Sequence, residues 1–136
     1  MRFVDRYPII VTPKLADCRD FWRAHLGFDV VFEATWFVLL QAGGASLAFM
    51  SPDHPSAPPG PEAYSGVGMC FELQVEDAAL AFAEFRRNGG PVGLALTDEP
   101  FGQRRFGFTD PSGLWVDVAE QIAPSEGFWE NYMVTA

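Results

Sequence analysis

The sequence predicts an α+β fold built from two tandem βαβββ modules, with a curved mixed sheet around a cleft and the helices outside. Three observations predict it. Strand-like and helix-like stretches run in the order strand, helix, three strands, and that order occurs twice. A proline-rich segment separates the two rounds. The last regular stretch, residues 102–122, reads as a hairpin whose second arm alternates Leu114, Val116 and Val118 with Trp115, Asp117 and Ala119, a core face backed by a face carrying a ring and a carboxylate. Each module is too small to bury both its sheet and its helix, so two must pack together.

Taken in order, residues 7–12 are rich in β-branched side chains, and Pro8 restricts this strand to an edge or a start. From Leu15 to Leu26 the apolar positions 15, 18, 22 and 26 fall at helical spacing, and Gly27 suits the left-handed residue that closes a helix. Residues 29–33, 36–41 and 45–50 read as short strands, the last two joined at Gly43-Gly44. Residues 51–66 hold five prolines and cannot sustain a regular element. Beyond this linker Met69, Phe71, Leu73 and Val75 alternate with Cys70, Glu72 and Gln74, the pattern of a half-buried strand. A helix over 77–88 aligns Ala78, Phe82 and Phe85, with Asp77 at the N-cap position and Gly89-Gly90 as its stop. Strands near 92–97, 103–109 and 114–120 follow, with Asp110-Pro111-Ser112-Gly113 as the final turn. The expected organisation is one domain over 1–136: module one at 5–50, linker 51–66, module two at 67–122 and an aromatic tail at 123–136 that docks on the body or on a partner subunit.

Composition limits the function. The 136 residues are 49% hydrophobic and 15% aromatic, enough for a core. Nine basic against eighteen acidic residues, a net charge of -9, argue against nucleic acid and anionic membranes as partners and favour a cationic or neutral one. Cys18 and Cys70 lack the spacing of a disulfide framework or a zinc site, which fits a reducing cytoplasm. The N-terminus has no signal-like apolar region and no run approaches the ~20 residues of a membrane span, so a soluble, intracellular protein is expected.

Within the repeat, Asp17, Phe21 and Gly27 are echoed about sixty residues later by Asp77, Phe82 and Gly89. Phe21-Trp22 through Gly27-Phe28 at the end of the first helix, Val75-Glu76-Asp77-Ala78, Arg86 through Gly90, and Asp110-Pro-Ser-Gly113 together resemble the vicinal oxygen chelate superfamily, over about residues 5–122. That superfamily includes glyoxalase I, extradiol dioxygenases, and fosfomycin- and bleomycin-resistance proteins. The resemblance implies a cleft in which the family's enzymes hold a divalent metal with His, Glu or Gln. Here those positions fall on Tyr7, Ala48 or Phe49, Cys70 and Asp117, none of them a histidine. His25, in the last turn of the first helix, and His54, in the linker, are read as a helix-end group and a loop side chain.

The resemblance is therefore nearest to the metal-free bleomycin-resistance type, whose hairpin the Glu33–Gly44 stretch matches in its aromatic and apolar-Gln-x-Gly pattern. The expected function is sequestration of an aromatic or cationic small molecule, an antibiotic or metabolite, in an acidic aromatic cleft. The expected ligand-binding set is Tyr7, Trp36, Phe49, Cys70, Glu72, Trp115 and Asp117. Rings would stack or attract cations, and Glu72 and Asp117 would supply charge. No catalytic residue, metal or cofactor is expected, and no nucleic-acid or membrane partner; the resemblance and the aromatic tail imply a homodimer. Arg104 and Arg105 alternate next to these carboxylates, and the pattern leaves open which of the two points inward. The alternatives are a metal-dependent lyase, isomerase or dioxygenase with an atypical ligand set, and an accessory domain whose collapsed cleft serves protein contact.

Overall fold

In the computed structural model, which describes residues 1–134, each βαβββ module forms its own four-stranded mixed sheet. The last two residues of the expected tail, 135 and 136, lie outside the described residues. The chain divides into two compact units, Met1–Met69 with Asp110–Leu114, and Cys70–Thr109 with the chain from Trp115 onward.

The first unit contains β1 (Ile9–Val11), α1 (Leu15–Leu26), β2 (Asp29–Glu33), β3 (Phe37–Ala42) and β4 (Ala45–Met50), in the sheet order β1-β4-β3-β2. β1 runs parallel to β4 and the other pairs are antiparallel. α1 covers one face because the helical repeat puts Cys18 and Trp22 on the same side, and both are fully buried. Trp22 packs edge-on to Phe28 at 4.9 Å and meets Phe49 at 6.4 Å. The helix stops at Gly27, whose φ of 67° lets Phe28 N–H turn back to the Trp22 carbonyl. Burial pushes the Cys18 thiol far up, and Asp110 and Asp17 add to the shift, so this cysteine is an inert core side chain.

The second unit contains β5 (Cys70–Gln74), α2 (Ala78–Arg87), β6 (Leu94–Glu99), β7 (Gln103–Thr109) and β8 (Trp115–Gln121), in the order β5-β8-β7-β6, with β5 parallel to β8. Asp77 caps α2 by accepting from Leu80 N–H at 3.0 Å. Phe82 and Phe85 lie against Phe106 and Phe108, with Phe85 stacked on Phe108 at 4.4 Å between ring centres. The face of this sheet that carries Phe106, Phe108, Val116 and Val118 is thus the core face, and the opposite face is free of α2.

The turn between β7 and β8 belongs to the first unit. Asp110 is 4% exposed and gathers four donors: Trp22 Nε1 at 2.9 Å, Ser112 N and Oγ at 2.9 and 2.6 Å, and Leu114 N at 3.1 Å. Gly113, at φ 92°, closes the turn with its N–H on the Asp110 carbonyl.

Several boundaries differ from the sequence expectation. β1 begins at Ile9, since Pro8 has no N–H to give, although its carbonyl accepts from Ala48. β3 begins at Phe37 and leaves Trp36 in the preceding turn. β6 lies two residues later than expected: a register shift separates Leu94 from Thr97, after which Asp98 and Glu99 pair opposite Arg104 and Gln103. The tail holds one 3-10 turn, Phe128–Asn131, fixed to the β6–β7 loop by Trp129 Nε1 donating to the Phe101 carbonyl at 2.9 Å and by Ser125 N–H on Pro100. No helix among the described residues is long and apolar enough to cross a membrane.

Candidate functional site

Strand alternation decides which side chains can meet a ligand, because a side chain facing α1 or α2 is spent on the core. In the second unit the register places Cys70 beside Trp115, Glu72 beside Asp117 and Gln74 beside Ala119, and, from β7, Gly107 beside Asp117 and Arg105 beside Ala119. These residues share the face away from α2, together with Gln103 of β7 and Thr97 and Glu99 of β6. The sheet therefore brings Cys70, Glu72, Trp115 and Asp117 onto one surface.

The polar groups on that surface are already wired to each other. Asp117, 7% exposed, accepts at Oδ1 from Trp115 Nε1 at 2.8 Å and from Arg105 Nη1 at 3.0 Å. The Arg105 guanidinium also grips Glu99 through Nε at 2.8 Å and Nη2 at 2.6 Å, and it lies 5.7 Å from the centre of the Phe101 ring. Burial opposes the Arg105 charge, but the Glu99 hydrogen bond and the Asp117 charge outweigh it and raise its pKa. Glu72 accepts Gln74 Nε2 at 2.8 Å on one oxygen and Gln103 Nε2 at 3.0 Å on the other. Arg104 points the other way and pairs with Asp98, which it holds below the usual carboxylate range. The question that strand alternation left open is answered: Arg105 faces the candidate site, so the expected acidic surface carries its own cation.

In the first unit the face away from α1 carries an apolar groove of about 460 Å³ lined by Ile9, Phe32, Trp36, Phe37 and Met50, with Ser56, Pro58 and Pro59 of the linker along it. Trp36 belongs to this groove and contacts Phe37 ring to ring at 5.8 Å. Tyr7 lies before β1 and is 39% exposed. Phe49 corrects the expectation. Its pairing with Ile10 puts it on the α1 face, fully buried against Trp22, so it is a core residue, and Ala48 is the β4 position beside Ile9. His54 is bound inside the linker, its Nε2 bonded to the Gly60 carbonyl at 3.0 Å and its Nδ1 accepting from Ser56 N at 3.1 Å.

The donor set on the second sheet does not suit a divalent metal. A guanidinium at 3.0 Å from Asp117 repels a second cation, and each Glu72 oxygen already accepts one amide N–H group. Among the described residues no group of three or more His, Cys, Asp or Glu side chains is placed to hold a metal ion.

Sequence reasoning left Arg105 undecided against Arg104 and missed Glu99 and Gln103 as members of this surface. Their signal was the register of the β7–β8 hairpin, which sets Arg105 against Ala119 and Gln103 against Gln121, together with the delayed start of β6.

A family model described as Glyoxalase/Bleomycin resistance protein/Dioxygenase superfamily matches residues 5–118. Among solved structures, a glyoxalase/bleomycin resistance protein/dioxygenase from Nocardioides is similar at 19% identity and a TM-score of 0.73, covering 93% of this chain and 87% of that one. A lactoylglutathione lyase from Agrobacterium tumefaciens is similar at 19% identity and a TM-score of 0.66, covering 88% and 96%. A hypothetical protein from S. aureus is similar at 16% identity and a TM-score of 0.69, covering 88% and 95%. No curated protein matches the chain. The βαβββ repeat and the matched span agree: the chain belongs to the glyoxalase/bleomycin resistance protein/dioxygenase superfamily.

Proposed function

We propose that this protein binds an aromatic or cationic small molecule on the face of the second sheet away from α2, without a metal ion, and sequesters it unchanged. The observation that carries this reading is the internal pairing of Asp117. Arg105 supplies the positive charge that this carboxylate would otherwise draw from a metal. This face offers a ligand an indole, hydrogen-bond acceptors and the N–H groups that the network leaves over, and its side chains include no imidazole to act as a base. The apolar groove in the first unit adds a surface suited to a ring or an alkyl group. In the same reading the ligand is an antibiotic or metabolite, and the protein works in the cytoplasm as a homodimer. The alternative, a metal-dependent lyase, isomerase or dioxygenase, draws support from the lactoylglutathione lyase likeness but needs a donor set that Arg105 opposes.

The test is a titration with proflavine, a planar diaminoacridinium cation, in the presence of a chelator. The wild type is expected to bind it. Glu72→Gln combined with Asp117→Asn is expected to weaken binding about tenfold to a hundredfold, the value of one or two charge-assisted hydrogen bonds. Equal affinity in the two proteins, or binding that appears only when a divalent metal is supplied, overturns the reading.

A further inference from the structure

We propose that Trp115 is a fixed stacking platform for a planar ring bearing N–H donors, and that Gly93 and Gly107 are the positioning residues that hold it in place. This rests on the binding reading above and narrows it to a ligand class.

The two glycines make room for the ring. Both lie on the face that carries Trp115, and Gly93 N–H donates to the Gly107 carbonyl at 2.9 Å. A methyl built on Gly107 would overlap Cζ2 of the Trp115 indole and stand 3.0 Å from Cε2, and one built on Gly93 would stand 3.0 Å from Cζ3. Neither glycine is among those with a positive φ, so the backbone does not call for glycine at either place. Strand interiors disfavour glycine, which packs nothing and costs chain entropy. The space that the missing side chains leave is filled by the indole, which is laid across β7 as far as the segment leading into β6.

The ring is also locked by hydrogen bonds. Its Nε1 donates to Asp117 Oδ1 at 2.8 Å, and the same oxygen is held by Arg105 at 3.0 Å, so the indole cannot turn without breaking a charge-assisted bond. One side of the ring is spent on the strands, yet the residue keeps part of its surface exposed. A rigid ring held ready loses little entropy when another ring stacks on it.

The network around the ring uses part of the donors and acceptors there. Trp115 Nε1, three N–H groups of Arg105, and one N–H each of Gln74 and Gln103 are consumed within the network. Asp117 Oδ2 and the amide oxygens of Gln74 and Gln103 are not consumed by it. The open carboxylate oxygen and the two amide oxygens suit a ligand that donates, such as an amino-substituted heteroaromatic ring, beside the two N–H groups of Arg105 and the one each of Gln74 and Gln103 that the network leaves over.

The seat is tested without any ligand. Gly107→Ala is expected to lower Tm by roughly 5–10 °C in the wild type, the cost of overpacking, and to lower it little or not at all in a Trp115→Ala background. Equal losses in both backgrounds overturn the seat. The platform is tested by fluorescence anisotropy of proflavine and of acridine orange, the same cation with its amino N–H groups methylated. Trp115→Ala is expected to weaken proflavine roughly tenfold or more, and Trp115→Phe to recover most of that. Wild type is expected to favour proflavine over acridine orange roughly tenfold, for the lost donors. If Trp115→Ala leaves proflavine affinity unchanged while the Glu72 and Asp117 changes reduce it, the platform fails and the binding reading stands. If the two cations bind equally, the donor selection fails. If neither Trp115 nor the carboxylates affect affinity, both the platform and the binding reading fall.

Discussion

Asp110→Ala is expected to lower the folding free energy by about 3–4 kcal/mol, combining the loss of charge-assisted hydrogen bonds with the cost of burying groups that lose their acceptor. Asp110 ties the β7–β8 turn to α1, since it accepts Trp22 Nε1 from 88 residues away as well as three donors of its own turn. At 4% exposure, water cannot replace it. For a chain of this size the change corresponds to a Tm lower by roughly 10 °C. Asp110→Asn should recover about half of the loss, because one amide oxygen can still accept but the charge is gone and the amide nitrogen cannot accept. Urea denaturation of the three proteins checks this. Indistinguishable midpoints for wild type and Asp110→Ala would show that the turn is held by its backbone alone.

Arg105→Met is expected to cost about 2–3 kcal/mol, somewhat below the full penalty of breaking a buried pair because the group keeps some solvent contact. The side chains of Arg105, Glu99 and Asp117 are 24%, 18% and 9% exposed, so removing the guanidinium leaves two poorly hydrated carboxylates facing each other. Arg105→Lys should recover little, since an ammonium is a point charge and cannot bridge Glu99 by two N–H groups while reaching Asp117 by a third. The exposed pair Arg104–Asp98 offers the contrast: Arg104→Met is expected to leave stability nearly unchanged, and any small effect to vanish in high salt. Guanidine-free thermal melts at low and high salt separate the two. Equal and small effects at both positions would mean that Arg105 is only a surface charge.

The contrast between these two arginines shows what could be read in the sequence and what could not. Helix positions were legible because they depend on local spacing: Cys18 and Trp22 in α1, and Ala78 and Phe85 in α2, are buried where the 3.6-residue repeat puts them. The Leu114–Val118 alternation was legible for the same reason, and so were the stops at Gly27 and Gly113, where a left-handed backbone is needed. Phe49 was misplaced because the sheet period is two, so a one-residue error in pairing exchanges the faces, and the pairing Ile10–Phe49 depends on a partner nearly forty residues away. Arg105 was undecided for the same cause. The Asp110–Trp22 bond and the seat of Trp115 on Gly93 and Gly107 are tertiary contacts that no local pattern signals. The acidic character expected of the site is altered by one residue, Arg105, which pairs with both Asp117 and Glu99.

The account is therefore tested most directly by metal content. The protein is purified without chelator or affinity tag, dialysed in turn against manganese, iron, nickel and zinc, freed of unbound ion and weighed by native mass spectrometry. Arg105 in its place predicts the mass of the bare chain in every case, with proflavine still bound at one per site. One tightly held metal per chain that disappears in Asp117→Asn would contradict the account and turn the site into a centre for metal-assisted chemistry.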